Sequence, residues 1–223
     1  MAGAIFVRRN LMKNVIWDFD GTLFNTYPEM VKAFSQTLAY FNIEDFEIDT
    51  EDIYATMRRG SVGTAVKKFS AIYGLQETQV RDKFNHIEPE LVQNARPFEG
   101  IADLLKETKL ANRHHFLETH RNQLAVELLN EFELTQYFDV MVTKDDGVKR
   151  KPNPEGINLL CEKFELDRGE TVMIGDRKLD IEAGNNAGIN SWLFDYDHLI
   201  IVDGQPNKRF TQVDDIKKSL LED

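Results

Sequence analysis

The chain is predicted to be an α/β protein, a doubly wound parallel sheet interrupted by an all-helical block, on three observations. From Ile101 onward, strand-like apolar runs alternate with helically spaced apolar positions. Such alternation implies a parallel sheet with helices on both faces. One further strand-like run, Val15-Ile16-Trp17, stands apart near the start, and the stretch from about residue 26 to 95 carries only helical spacing.

The elements follow in order. Val15-Ile16-Trp17 runs into Asp18-Phe19-Asp20-Gly21-Thr22. Side chains alternate along extended backbone, so Asp18 and Asp20 point the same way at a strand end, where parallel α/β sheets bind ligands. Gly21 lets the chain turn sharply after them. In the helical block the spaced residues are Met30, Val31, Phe34 and Leu38, then Val62, Ala65, Val66 and Phe69, then Val80, Phe84, Ile87 and Leu91. Pro97 and Gly100 mark the return to alternation. A helix at Ile101-Leu104-Leu105 precedes a strand over 114 to 119, a helix at Leu124-Leu128-Leu129 and a strand over 138 to 143. A helix over 154 to 165, a strand over 171 to 175, a helix over 178 to 187 and a strand at Ser191-Trp192-Leu193-Phe194 complete the series. Asn153 as N-cap and Pro154 at the first helical position start one of these helices and place Lys151 just before it. Beyond residue 195 come a polar segment, Ile200-Ile201-Val202, and a terminal helix with Val213, Ile216, Leu220 and Leu221.

Three later segments join the Asp18–Asp20 pair as candidates for chemistry. Phe116-Leu117-Glu118-Thr119 is an apolar stretch ending in a hydroxyl, and Lys149-Arg150-Lys151-Pro152-Asn153-Pro154 is a basic turn before a helix. Thr171-Val172-Met173-Ile174-Gly175-Asp176 is a buried-strand run closed by Gly and Asp, with Asp180 one helical turn later. Each has an ordinary reading when taken alone: Thr119 as a β-favouring residue, Lys151 as surface charge, Asp176 as a helix cap.

In this order, Asp-x-Asp-Gly-Thr, Thr, Lys-Pro-x-Pro and Gly-Asp-x-x-x-Asp resemble the four motifs of the haloacid dehalogenase superfamily, in its phosphatase branch, near the phosphoglycolate phosphatases and β-phosphoglucomutases. The resemblance covers residues 13 to about 194. It implies a discontinuous Rossmann-like catalytic core over 13–25 and 96–205, an inserted helical cap over 26–95, and a C-terminal helix over 206–223 associated with the core. By the same resemblance Asp18 is the nucleophile, Asp20 the general acid and base, and Thr119 and Lys151 the phosphoryl cradle. Mg²⁺ is expected on Asp18, Asp176 and the Asp20 backbone carbonyl, with Asp180 in the outer shell. Those residue types suit the chemistry, because an anionic nucleophile reaches a phosphate monoester only where positive charge neutralises the phosphoryl oxygens.

Departures from the motifs bear on substrate and reaction. Thr119 is followed by His120-Arg121-Asn122, whereas many glycolate-phosphate hydrolases carry Thr-Asn-Lys there, so His120 becomes a candidate substrate contact. His114 and His115 face opposite ways on a strand and make no obvious metal pair. Gly175-Asp176 replaces the Glu-Asp typical of sugar-phosphate mutases, which makes a mutase the runner-up to a hydrolase. A dehalogenase would leave Asp20 without a task. Motif order and the helical insertion disfavour a non-enzymatic phospho-acceptor domain. In the helical block, Met57-Arg58-Arg59-Gly60-Ser61 reads either as a substrate-selecting tip, with Arg58, Arg59 and Ser61 meeting the leaving group, or as solvated charge at a helix end.

Composition narrows the partners. A formal net charge of −11 and a pI near 5.0 argue against nucleic-acid binding, and the resemblance implies a small phosphorylated metabolite as the partner. Cys161, the single cysteine, excludes an intrachain disulfide and shares a helical face with Ile157, Leu160 and Phe164, which suits a buried thiol and a cytoplasmic location. No run reaches membrane-spanning length, and Met1 to Asn10 is too short and too charged at Arg8-Arg9 for a signal peptide. The expected state is a monomer or weak homodimer, with residues 1–11 outside the fold.

Overall fold

The computed structural model describes residues 11–222, so the expectation about Met1 to Asn10 lies outside the described residues. The first strands are β1 (Asn14–Trp17) and β2 (Phe24–Asn25), followed by helices α1 (Tyr27–Tyr40), α2 (Thr50–Arg59), α3 (Val62–Tyr73) and α4 (Glu77–Val92). Then come β3 (Arg96–Pro97), α5 (Ile101–Leu110), β4 (His114–Glu118), α6 (Leu124–Glu131), β5 (Phe138–Val142) and α7 (Glu155–Lys163). The chain closes with β6 (Thr171–Gly175), α8 (Lys178–Asn186), β7 (Asn190–Phe194), β8 (Lys208–Phe210) and α9 (Val213–Glu222).

Six strands form one parallel sheet in the order β5-β4-β1-β6-β7-β8. The chain fills the sheet outward from β1 in one direction and then returns to fill the other side from β6. The β1–β6 boundary is therefore the switch point, where loops diverge and leave a crevice at the carboxyl ends of the strands. Alternation along the strands buries both faces. Val15, Trp17, Leu117, Val172 and Ile174 join one apolar cluster with residues of α5, α6 and α9, while Ile16, Phe116 and Met173 join another with Ile157, Leu160 and Cys161 of α7 and Ala183 of α8. The doubly wound arrangement and the buried Cys161 follow the sequence pattern.

The four helices between β2 and β3 pack on one another through aromatic contacts. The Phe34 ring of α1 lies 5.7 Å from Phe69 of α3 and 5.8 Å from Phe84 of α4. At the two points where the chain enters and leaves this block, β2 and β3 pair antiparallel, Phe24 with Pro97 and Asn25 with Arg96. Two residues per strand are too few for an alternation pattern, and sequence reading missed this ribbon. Helix α2 was also unassigned, although its cap is visible in retrospect: the Asp52 N–H donates to Asp49 Oδ1 at 2.9 Å.

Several boundaries are corrected. The helix expected over 154–165 begins at Glu155, with Pro154 in the cap position; Asn153 Oδ1 still accepts the Glu155 N–H at 3.1 Å, one residue out of the expected register. Strand β5 ends at Val142, before Thr143. Residues 206–223, expected as helix alone, contribute β8 to the sheet edge before α9. No helix among the described residues is long and apolar enough to cross a membrane.

His114 and His115 do face opposite ways. His114 is exposed beside Asp139, whereas His115 is fully buried. The Trp17 Nε1–H donates to His115 Nδ1 at 3.0 Å, so the ring proton sits on Nε2 and donates to Thr108 Oγ1 at 3.0 Å, whose own hydrogen goes to the Leu104 carbonyl. A second ring proton would confront the indole N–H. Burial, with Lys109 adding to it, pushes the His115 pKa down to about 3. The folded value lies below the unfolded one near 6.5, so the stability of the neutral ring is complete above pH 6.5 and is lost as pH falls toward 3. Between pH 7 and pH 5 the parent should lose about 2 kcal/mol more than His115→Gln in urea unfolding. Equal losses would contradict the buried-neutral assignment.

Candidate active site

The site forms where β1, β4 and β6 end. The Asp18 N–H donates to the Ile174 carbonyl at 2.9 Å, extending the β1–β6 pairing one residue and bringing Asp18 alongside the end of β6. Gly21 follows at φ +73, and a Cβ there would overlap the Asp176 carboxylate and the Tyr27 ring, so glycine is required by conformation and by space. Gly175 has a parallel task, because a Cβ there would overlap the Asp180 side chain at the first turn of α8.

These approaches bring Asp18, Asp176 and Asp180 together, all buried, with one oxygen of each within 4.8 Å of the others. Lys151 is the counter-charge that Asp18 and Asp180 share. Its Nζ lies 2.7 Å from Asp18 Oδ1, 2.8 Å from Asp180 Oδ1 and 3.0 Å from Glu118 Oε2, and it donates to the Glu118 carbonyl at 2.9 Å. The reading of Lys151 as surface charge is thereby corrected, since it is 4% exposed. Asp18 Oδ2 and Asp176 Oδ1 are buried and have no hydrogen-bond donor among the described residues. Arg177 Nε lies 3.5 Å from Asp176 Oδ1.

The electrostatics follow from this crowding. Burial raises the Asp18 pKa well above the usual carboxylate range, with Asp180 and Asp176 adding to it and Lys151 opposing. Burial also pushes Asp176 up to about 6, against the pull of Arg58 and Arg177. Burial acts on Asp180 in the same sense, but Lys151 and Arg177 outweigh it and hold that carboxyl below its ordinary value. For Lys151, burial would lower the pKa, and Asp18, Asp180 and Glu118 more than reverse it.

Thr119 is buried just past β4, where its Oγ1 accepts the Arg121 N–H at 3.1 Å, leaving the hydroxyl hydrogen free to donate. His120 turns back to the basic turn: the Lys151 N–H donates to its Nε2 at 2.6 Å. Burial, with Lys151 and Arg150 adding to it, lowers the His120 pKa to about 3 and keeps the ring a neutral acceptor that positions the Lys151 backbone. Asp20 does not join the buried trio. Arg121 Nε donates to its two oxygens at 2.9 and 3.1 Å.

The pentapeptide at residues 57–61 is not a free tip, because Arg58 is fully buried. Its Nε and Nη2 donate to the Asp197 carboxylate at 2.8 and 2.9 Å, its Nη2 lies 3.7 Å from Asp195, and its Nη1 donates to Asp176 Oδ2. The guanidinium also faces the Tyr196 and Tyr27 rings at 4.6 and 5.2 Å. Tyr27 donates to the same Asp176 Oδ2 at 3.0 Å. Two donors thus occupy one oxygen of Asp176 and leave the other without a hydrogen-bond donor among the described residues. Both sequence readings of Arg58, a substrate-selecting tip residue and a solvated charge at a helix end, give way to a buried ion cluster. Arg59 is exposed and donates to the Leu199 carbonyl at 3.3 Å, and Ser61 caps α3 by accepting the Thr64 N–H at 3.0 Å; neither meets the carboxylate trio.

Sequence reasoning missed Glu118, Arg121, Tyr27, Asp195 and Asp197. Glu118 alone carried a signal, as a carboxylate closing an otherwise apolar strand.

Comparison with known proteins agrees with this geometry. Residues 15–194 match the family model described as haloacid dehalogenase-like hydrolase. The chain is 30% identical over 179 residues to a pyrophosphatase PpaX of Bacillus mycoides, covering 79% of this chain and 80% of that protein. It is 27% identical to a phosphoglycolate phosphatase of Thiobacillus denitrificans, again over 79% of this chain and 80% of the relative. Among solved structures, a hydrolase from Streptococcus pneumoniae TIGR4 is 34% identical with a TM-score of 0.63, covering 86% of this chain and 95% of that one.

Proposed function

We propose that this chain, which belongs to the haloacid dehalogenase-like hydrolase family, is a Mg²⁺-dependent phosphomonoester hydrolase of a small metabolite that works through an aspartyl phosphate. The observation that carries this reading is the buried trio Asp18, Asp176 and Asp180 beside Lys151, at the sheet's switch point, with Asp18 Oδ2 and Asp176 Oδ1 lacking a hydrogen-bond donor among the described residues. An all-oxygen donor set with orphaned, mutually repelling carboxylate oxygens fits a hard divalent cation. Asp18 and Asp176 would hold it, with Asp180 and the Asp20 carbonyl beside them. When bound, the ion supplies positive charge that keeps Asp18 ionised and offsets charge on the phosphoryl oxygens.

The protein's own groups account for the remaining steps. Asp18 attacks phosphorus in line; the new Asp18 O–P bond forms as the bond to the leaving oxygen breaks, and Asp20 gives that oxygen a proton. Asp20 then takes a proton from water, whose oxygen attacks phosphorus and releases phosphate with Asp18 restored. Lys151 and the Thr119 hydroxyl hold the phosphoryl oxygens meanwhile. Residues 26–95 act in this scheme as a cap over a core of 13–25 and 96–205, since Arg58 and Glu88 reach the site from the helical block. The matching expectation is a cytoplasmic monomer or weak homodimer.

Phosphate release should be measured across a panel that includes glycolate phosphate, pyrophosphate, sugar phosphates and nucleotides. Chelation should stop release and Mg²⁺ restore it. Ca²⁺ should fail to do so, because its larger and looser coordination shell misplaces nucleophile and phosphorus. Release that survives exhaustive chelation would remove the metal from the scheme.

A further inference from the structure

Arg58 and Arg121 border the candidate site with their N–H groups committed to carboxylates, Arg58 to Asp176 and Asp197 and Arg121 to Asp20 and Glu88. Arg177 differs from both. Its Nε is buried and has no hydrogen-bond partner among the described residues. The 3.5 Å to Asp176 Oδ1 is an attraction of charges, too long for a hydrogen bond. The backbone fixes this residue at the start of α8, where its N–H donates to Asp180 Oδ2 at 3.1 Å and its carbonyl accepts the Asp180 N–H at 3.1 Å. Its charge is felt on two sides. Burial raises the Asp18 pKa against Lys151 and Arg177, and burial lowers the Arg150 pKa with Arg177 and Arg81 adding to it. The guanidinium is thus near both the carboxylate trio and the basic turn, where Arg150 Nε donates to His120 Nδ1 at 3.2 Å. A buried charged donor without an acceptor is costly. The orphaned acceptors Asp18 Oδ2 and Asp176 Oδ1 fit a cation, whereas the orphaned donor beside Asp176 fits an anion. The proposed reaction brings one there, in the phosphoryl group that joins Asp18.

We infer that Arg177 is a further catalytic residue: its Nε–H donates to an oxygen of the phosphoryl group being transferred, alongside Lys151 and the Thr119 hydroxyl. It touches the transferred group and not the leaving group, so its contribution is similar for every substrate. A planar donor already in place at the phosphoryl oxygens needs no reorganisation at the moment of reaction. This inference rests on the phosphatase reading of the site.

The test uses the Mg²⁺-loaded protein and two readouts in the parent, Arg177→Gln and Arg177→Lys. One is calorimetric binding of inorganic phosphate; the other is kcat/KM for p-nitrophenyl phosphate and for the best substrate of the panel. In Arg177→Gln the phosphate Kd should rise about tenfold or more, the effect of one charge-assisted hydrogen bond. Its kcat/KM should fall about 10²-fold or more, by similar factors on both substrates. Arg177→Lys keeps the charge without the Nε–H or the planar fork, so it should fall between the parent and Arg177→Gln. A side chain that merely balanced the carboxylates would be replaced in full by Lys. Melting curves in Mg²⁺ establish first that the variants fold, and Arg177→Lys decides alone where Arg177→Gln does not. Phosphate affinity at the parent's level in either folded variant overturns the inference, as does a rate loss confined to one leaving group. A parent that binds no phosphate and hydrolyses nothing in the panel would instead overturn the phosphatase reading, and the role of Arg177 with it.

Discussion

Asp18→Asn is expected to abolish phosphate release, by about 10⁴-fold or more, while leaving metal-free protein at least as stable as the parent. The rate effect follows from the loss of the attacking oxygen, for which an amide is no substitute. The stability effect follows from the electrostatics. Burial and the neighbouring Asp180 and Asp176 hold the folded pKa of Asp18 above its unfolded value near 3.8. Its stabilising contribution is then complete only below that value and declines as pH rises toward the folded pKa. At neutral pH the ionised side chain is a liability to the metal-free fold, and a neutral isostere relieves it. Lys151 keeps Glu118 and Asp180 as partners. Thermal melting in chelator and phosphate release in Mg²⁺ give the two readouts. An inactive but clearly less stable variant would mean that Asp18 serves the fold.

Arg58→Met carries the largest expected cost to stability, about 3–5 kcal/mol, because it strands carboxylates that have little water. Asp176 and Asp195 are fully buried, and Asp197 is 16% exposed. Burial would raise the Asp197 pKa, but the hydrogen bonds from Arg58 and Tyr54 bring it down to about 2, so this carboxylate depends on the guanidinium. A loss of that size corresponds to a melting temperature lower by roughly 10 °C for a chain of this length. Arg59→Ala, one residue along on the exposed side of the same helix end, should change stability by no more than about 0.5 kcal/mol. Similar melting of the two variants would contradict the buried cluster.

The parts of this site that sequence made legible are those marked by secondary structure. Asp18 and Asp176 end strands with unmistakable apolar runs, Thr119 follows another, and Lys151 precedes a helix with a readable cap. Position on the sheet then brings them to one edge. What stayed illegible depends on pairing between distant segments. Nothing local distinguishes Arg58, which meets Asp176 and Asp197, from exposed Arg59, because the difference is a rotation of about 100° around α2 and the carboxylates lie 118 and 139 residues away. Arg121 looked like a departure from a motif, since its partners Asp20 and Glu88 are 101 and 33 residues distant. Strand β8 escaped for another reason: Lys208-Arg209-Phe210 is mostly charged, as suits a sheet edge, and carries too little apolar pattern to be read as a strand.

The central claim is that Asp18 carries the phosphoryl group. Its most direct test mixes Asp20→Asn with p-nitrophenyl phosphate and Mg²⁺, quenches in acid, and locates the phosphoryl group by peptide mass spectrometry. Nitrophenolate leaves without a proton, so the variant should form the intermediate but hydrolyse it slowly. The account predicts a nitrophenol burst matching the protein concentration and a phosphoryl group on the peptide holding Asp18. A phosphoryl group on any other residue, or a burst with none on the protein, would contradict it.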